Sequence, residues 1–358
     1  MAQRNSGLGV LAPGALAIVL TSGFANAQTE PPFFQGKTID LIISTEAGIA
    51  FDVTARLVGR HIGRHIPGAP SIVARNMPGA GHIRAANYIY NQAPKDGTTI
   101  GTLLPVFVTS QVIDRSDAIQ FDAAKFNWIG SSAWATSTTY VMASTGVASI
   151  EDAKNRQVLM GGTGAGAYST LFPVIMNNLL GTKFKVIAGY KGTAEMNIAM
   201  ERGEVEGRAG VPLPSIKLER PEWLAQKKIN IIVQVGLERD PELQHVPLLI
   251  DFAGNDEQRG IIKLFSSDAA LGRPFIAPPG LPPDRVAMLR NALAATMKDP
   301  AYLKEAKDIG AEVVPVTGEK LQALVDEIVA TPAAIVAKAK AATERGDSVT
   351  SGAGGTKK

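Results

Sequence analysis

The sequence predicts an α/β protein made of two successive blocks in which strands and helices alternate. Three observations carry this. The chain has 358 residues, room for two domains. Apolar residues make up 45% and charged residues 19%, the balance of a core-forming chain. Its 36 glycines and 22 prolines punctuate short apolar runs, as strand–loop–helix junctions require.

The first block opens with the apolar run Lys37–Ser44, a buried strand. The loop Thr45–Phe51 follows. A helix from about Asp52 to His65 carries Val53, Leu57, Val58, Ile62 and Ile66 at helical spacing. Asp52 suits its N-cap, and Pro67-Gly68 stops it. Next come a strand at Ser71–Arg75, a turn-rich loop at Asn76–Gly81, a helix at Ile83–Asn91 and a strand at Thr98–Leu104. The second block starts near Tyr140. It contains a strand at Gln157–Met160, the glycine loop Gly161–Ala167 and a helix at Tyr168–Leu180. A strand at Lys183–Ala188, a helix at Thr193–Arg202 and a strand at Ile229–Val235 complete it. The chain closes with a helix at Pro283–Met297, a short helix ending near Gly310, a strand at Glu312–Val316 and a helix from Thr317. The Gly-rich, basic Ser351–Lys358 reads as a disordered tail. Such alternation implies parallel βαβ units, whose ligands sit beyond the carboxyl ends of the strands.

The N-terminus carries an export signal. Arg4 supplies a positive start, Leu8–Leu20 an apolar run, and Ala25-Asn26-Ala27 a small-residue cleavage pattern. The run is about 13 residues, short of the ~20 that a spanning helix needs. Cleavage is expected after Ala27, leaving a protein in the periplasm. With no cysteine, the chain has no disulfide, thiolate ligand, cysteine nucleophile or lipobox. A net charge of +3 without a Lys/Arg stripe gives no nucleic-acid surface.

Two loops carry the chemistry. The first includes Gly48, Ile49, Ala50 and Phe51 ahead of Asp52; the second is Gly161–Ala167, with Thr163, Gly164, Ala165, Gly166 and Ala167 ahead of Tyr168. Each joins a strand to a helix N-terminus, where free backbone N–H groups and the positive dipole end favour an anion. Glycine here also serves tight turns alone; the same arrangement twice in one chain favours binding. Gly162-x-Gly164-x-x-Ala167 fits a dinucleotide pattern, but Lys183 and Lys185 stand where an acidic residue is required, and no cofactor is expected. Catalytic groupings are thin. There is no G-x-S-x-G elbow. His61 and His65 have metal-ligand spacing but alternate with Arg60 and Arg64, the pattern of a basic helix end. His82 lies on the expected rim, and His245 reads as structural. Trp128, Trp134 and Trp223 read as packing residues, with Trp134 near the passage between the blocks.

These features resemble the Bug/TctC family, the substrate-binding receptors of tripartite tricarboxylate transport systems. The resemblance runs from about Lys37 to Val329. It rests on Gly48–Leu57, Asn76-Met77-Pro78-Gly79-Ala80-Gly81 and Ala93-Pro94-Lys95-Asp96-Gly97-Thr98. Tyr190-Lys191-Gly192, Gly203-Glu204-Val205 and Ala277–Pro282 extend it. It implies a two-lobe periplasmic-binding-protein (type II) fold with the ligand cleft between the lobes. The crossovers fall near Ser132 and His245. Residues 28–132 with 246–345 then form one lobe, 133–245 the other, and 346–358 the tail. It also implies a monomer that captures a small carboxylate and hands it to a tripartite tricarboxylate-type permease, with no reaction and no metal. A ligand sensor of the same fold is the alternative. The first loop is poorer in glycine than the family pattern, and Pro105-Val106-Phe107 is apolar where small polar residues are usual. These departures fit a carboxylate with an apolar or aromatic body, for which Phe51, Phe107 or Trp134 would supply a face.

Overall fold

The computed structural model describes residues 1–2, 32–114, 116–134, 136–164 and 166–351. The apolar run Leu8–Leu20, the junction after Ala27, Ala165 and segment 352–358 lie outside them.

The chain first builds β1 (Thr38–Ile43), α1 (Ala50–Ile62), β2 (Ser71–Asn76), α2 (Ile83–Asn91), β3 (Thr99–Thr102), α3 (Val106–Ile113) and β4 (Asn127–Ser131). It then builds β5 (Ser137–Met142), α4 (Ile150–Asn155), β6 (Val158–Gly162), α5 (Tyr168–Leu180), β7 (Phe184–Ala188) and α6 (Thr193–Glu201). The same stretch continues through β8 (Gly207–Pro212), α7 (Leu213–Glu219), α8 (Pro221–Ala225) and β9 (Ile229–Val235). The last part holds α9 (Asp256–Leu271), β10 (Pro274–Ala277), α10 (Pro283–Thr296), α11 (Pro300–Asp308), β11 (Val316–Thr317), α12 (Gly318–Val329), α13 (Ala333–Ala342) and β12 (Val349–Ser351).

The strands form two six-stranded sheets, ordered β11-β4-β10-β3-β1-β2 and β12-β7-β6-β8-β5-β9. Each sheet with its helices is a lobe. The βαβ units are parallel as expected: β1 with β2 and β3, and β6 with β7 and β8. The sheets as wholes are mixed, because β10 and β5 run antiparallel to both of their neighbours. The reason is topological. Each is the first strand after a passage between sheets, so it enters at the carboxyl-end rim and must run back from it. The passage from Ser131 to Ser137 spans six peptide steps, so those two rims are at most about 20 Å apart. The strand-end loops of both lobes therefore border one gap.

A mesh of bonds pins this passage. Arg273 N donates to Ala133 O at 2.9 Å, Ser132 N to Arg273 O at 3.2 Å, and the Ser131 hydroxyl to Ala133 O at 2.8 Å. Gly272, at φ +63°, sits against it; a Cβ there would lie 2.0 Å from Ala133 O. Only glycine fits that approach.

The second passage differs from expectation. At Leu248 the chain still bridges Gln234 beside β9, and it rejoins the first sheet only at Pro274, after α9. The tail differs too: Val349–Ser351 is an edge strand, parallel to β7, so the chain crosses a third time. Val349-Thr350-Ser351 is too short to mark a strand by pattern; the open edge of β7 supplies the pairing. Helices α9 and α13 wedge between the lobes. Ile261, Leu264 and Phe265 of α9 and Val336 and Ala339 of α13 join one buried cluster with Val108 and Trp128 of lobe 1 and Ile175 and Val186 of lobe 2. No helix of the described residues is long and apolar enough to cross a membrane.

Candidate functional site

Both predicted loops border the gap, and each ends at the N-terminus of a 13-residue helix. They are held differently. Helix α1 starts at Ala50, two residues earlier than the sequence suggests, with Ile49 as N-cap. Asp52 is therefore in the first turn rather than at the cap. It is 2% exposed. Its carboxylate accepts from Gly48 N at 2.8 Å, Asn76 Nδ2 at 2.8 Å and Arg56 Nε at 3.0 Å. Burial opposes the charge, but the Gly48 N–H, the Asn76 amide and the Arg56 guanidinium together hold the Asp52 carboxyl below its usual range. Asn76 also donates to Thr45 O at 2.9 Å and accepts from Arg56 at 2.6 Å. So Asp52 is a clamp on the loop, with its oxygens spent on protein donors. Gly48, Ile49 and Ala50 remain exposed, and the Ile49, Ala50 and Phe51 N–H groups find no acceptor among the described residues.

The second loop is looser. Ala167 caps α5 without a side-chain bond. The Ser169 hydroxyl accepts from Thr163 N at 3.2 Å, and Ala167 N donates to Gly164 O at 3.1 Å. Gly164 and Gly166 are exposed, and a Cβ on either would meet nothing within 4 Å. Their N–H groups find no acceptor among the described residues. Thr163, Ala167 and Tyr168 are half-buried, and Ala165 lies outside the described residues.

Two of the three aromatic faces expected at the cleft, Phe51 and Phe107, are turned into the core. Phe107 is fully buried, stacked on Trp128 at 6.0 Å and edge-on to Phe121 and Phe126. Its position, the second in α3, turns it into the lobe-1 core. Phe51 is 7% exposed and belongs to a buried cluster that includes Leu57, Val58 and Phe275. Helical periodicity sends both side chains inward, a consequence hidden when the residues are read as loop. Trp134 lines a cavity of about 90 Å³ at the passage between lobes, with Leu237, Glu238, Ala270 and Lys320. A wider groove of about 250 Å³ lies between α9, α12 and α13. Neither is lined by the two loops.

Around the lobe-1 rim, Leu104 N donates to the Ser44 hydroxyl at 3.3 Å, and His82 Nδ1 lies 3.1 Å from Ser44 O. Burial lowers the His82 pKa, so the ring is neutral at pH 7 and turned to the backbone. His61 and His65 pair separately with Glu305 (2.6 Å) and Asp299 (2.9 Å), tying α1 to α11. No group of three or more metal-ligating side chains occurs among the described residues.

Sequence reasoning missed a third feature. Asp268 on α9 is buried; its Oδ2 accepts from the Tyr168 hydroxyl at 2.9 Å and lies 3.2 Å from the Thr109 hydroxyl, whose one proton it shares with Val106 O at 3.1 Å. Tyr168 is the first residue of α5, and Thr109 belongs to the first turn of α3. A path of contacts thus links the loops: Ser44 beside the first, Leu104 and α3, Thr109, Asp268, then Tyr168 on the second. Asn255 as N-cap, Asp256 and Glu257 in the first turn and Ile261, Ile262, Leu264 and Phe265 beyond were the sequence signals for α9.

The profile of the tripartite tricarboxylate transporter family receptor matches residues 55–340. The chain belongs to this family. The match begins three residues after Asp52, so the reading of the first loop stands on its own geometry. A protein from the gbd 5' region of Cupriavidus necator is 25% identical over 320 residues, covering 87% of this chain and 90% of that one. Among solved structures, a TctC solute-binding protein from Polaromonas superposes with a TM-score of 0.65 at 19% identity, covering 86% of this chain and 97% of that one. A protein of R. palustris solved with adipate gives 0.57 at 23% identity, covering 85% and 97%. MatC of Rhodopseudomonas palustris, solved with malate, gives 0.55 at 19%, covering 86% and 99%. These likenesses show the fold of a periplasmic solute-binding protein. The TctC receptors are solute-binding proteins of the periplasm rather than enzymes.

Proposed function

We propose that this TctC-family chain is an exported receptor, cleaved after Ala27, that closes as a monomer on a small organic carboxylate and delivers it to a tripartite tricarboxylate-type permease. The observation that carries the reading is the pair of helix N-termini on opposite lobes, each presenting unpartnered N–H groups to the same gap. Ligand oxygens would be held by Ile49, Ala50 and Phe51 N–H on one side and by Gly164 and Gly166 N–H on the other. Adipate and malate occupy two proteins of this fold. Phe51 and Phe107 are core residues here, so of the three aromatic candidates only Trp134, half-buried at the passage between the lobes, is left to meet an aromatic ligand. The exposed side chains at the first loop, Ile49 and Ala50, suit a short aliphatic mono- or dicarboxylate.

A thermal-shift panel of acetate, malate, adipate, citrate and benzoate tests this. A carboxylate present at 100 times its Kd adds ~2.7 kcal/mol of stability. Stabilisation by aliphatic acids and not by benzoate is expected. A panel in which no carboxylate raises the melting temperature would refute the reading.

A further inference from the structure

We propose that Asp268 is the positioning residue of the gap, its buried carboxylate drawing the Thr109 hydroxyl of lobe 1 and the Tyr168 hydroxyl of lobe 2 onto one oxygen so that the two loops keep a fixed relation. The description of the gap as a ligand cleft rests on the function proposed above; the clasp itself does not.

The geometry is unusual for a buried acid. Oδ2 faces two hydroxyl donors, one from each lobe: Tyr168 donates to it outright, and Thr109 divides its proton between it and Val106 O, while Oδ1 is buried and has no hydrogen-bond partner. No Lys, Arg or His side chain bonds to it among the described residues. From α3 comes Thr109; from α5 comes Tyr168. Helices α12 and α13 meet α9 through Leu324, Ile328 and Ile335, and the charged pairs they make with α9, Glu327 with Lys263 and Lys338 with Glu257, are exposed; Glu319, Lys320 and Asp326 of α12 bond to Arg290, Glu238 and Gln322 instead. A carboxylate kept without a counter-ion is costly to bury, so it does not serve general stability. What it supplies is direction. Charge-assisted hydrogen bonds are roughly twice as strong as neutral ones, so the ionised acid grips both hydroxyls and the protonated acid grips them less.

The same geometry makes the clasp sensitive to pH. Burial pushes the Asp268 carboxyl up to about 7, with the Tyr168 and Thr109 hydroxyls opposing the rise. Burial and the nearby Asp268 push the Tyr168 phenol well above its ordinary value, so Tyr168 stays a donor throughout. Only Asp268 titrates. The lobes should therefore be tightly related above neutral pH and freer below it.

The absence of cysteine makes a clean distance measurement available in the unliganded protein. Leu303 on α11 and Ile198 on α6 are exposed, one in each lobe. Leu303→Cys with Ile198→Cys, both spin-labelled, reports the spread of lobe separations. On the wild-type background the distance distribution should broaden about twofold from pH 8.5 to pH 6. Asp268→Asn should be broad and unchanged between the two pH values. Thr109→Val, a lobe-1 change, should give the same broadening, and it keeps the test valid if the Asp268 variant folds poorly. Equal widths at both pH values in the wild type, or a pH response kept by Asp268→Asn, would overturn the proposal. Neither result bears on whether a carboxylate binds, since no ligand is present.

Discussion

The two loops occupy the same topological place and are built in opposite ways. The lobe-1 loop is locked from behind: Asp52, Asn76 and Arg56 are bonded to one another and reach the loop at Gly48 N and Thr45 O, and Gly48 takes φ +85° to direct its N–H at Asp52. The lobe-2 loop has one side-chain support, Ser169, and two glycines in open space. A locked loop presents its N–H groups in one geometry and loses no freedom on binding. An open loop adapts and is ordered by what it binds. On the proposed function, lobe 1 would be the template and lobe 2 the part whose fit decides which carboxylate is held.

Gly164→Pro is the strongest way to break this contrast. It removes one free N–H and fixes φ in the adaptable loop. Binding of the best acid in the panel should fall by on the order of 100-fold or more while the fold survives, since the site is exposed. Calorimetry showing unchanged affinity would end the two-loop assignment.

Asp268→Asn comes next. The folded carboxyl titrates near 7 against an ordinary 3.8, so the native state holds its proton more tightly than the unfolded chain. Stability from this group is full below about pH 4 and is lost as pH rises to about 7, by up to ~4 kcal/mol. The variant should therefore match the wild type near pH 4 and exceed it near pH 8 in denaturant melts. A difference of the opposite sign, or one independent of pH, would show that the acid is not strained by burial.

Asp52→Ala follows, at about 2–3 kcal/mol of lost stability. It strands the Asn76 amide and the Gly48 N–H, and Arg56 is partly solvated, which moderates the loss. Its pH dependence runs the other way. With the folded carboxyl held below its usual range, the contribution is present above about pH 4 and is lost as pH falls through the folded value. The smallest effect is the glycine pair. Gly48→Ala should cost about 1 kcal/mol through its left-handed backbone, and Gly164→Ala close to nothing in stability. Equal costs would erase the distinction between locked and open loops.

Much of this was visible in the residues. The parallel units around β1–β3 and β6–β7 follow from local periodicity, and both loops were found by their place between a strand and a helix. The boundary of α1 was less legible. Asp52 is an excellent cap by type, but the bonds from Asn76, 24 residues away, draw it into the first turn. Phe51 and Phe107 show the same limit. As loop residues they read as ligand faces; as helical residues they point into the core. Trp128 was a packing residue in both views, because a large ring needs no partner of particular identity to be buried.

What the sequence by itself determined is the βαβ units around β1–β3 and β6–β7, the family resemblance and the two strand-to-helix loops. All of these depend on residues within one or two turns of each other, where composition and spacing are sufficient. The tertiary structure alone decided how those starts are supported. Thr109, Tyr168 and Asp268 are separated by 59 and 100 positions, and only the packing of α9 between the lobes brings their oxygens onto one point. The returning edge strand β12 has the same origin, since its pairing is supplied by an open strand some 160 residues earlier. Nothing local marks a carboxyl as buried, because burial is set by what packs over it, and here that comes from three distant parts of the chain.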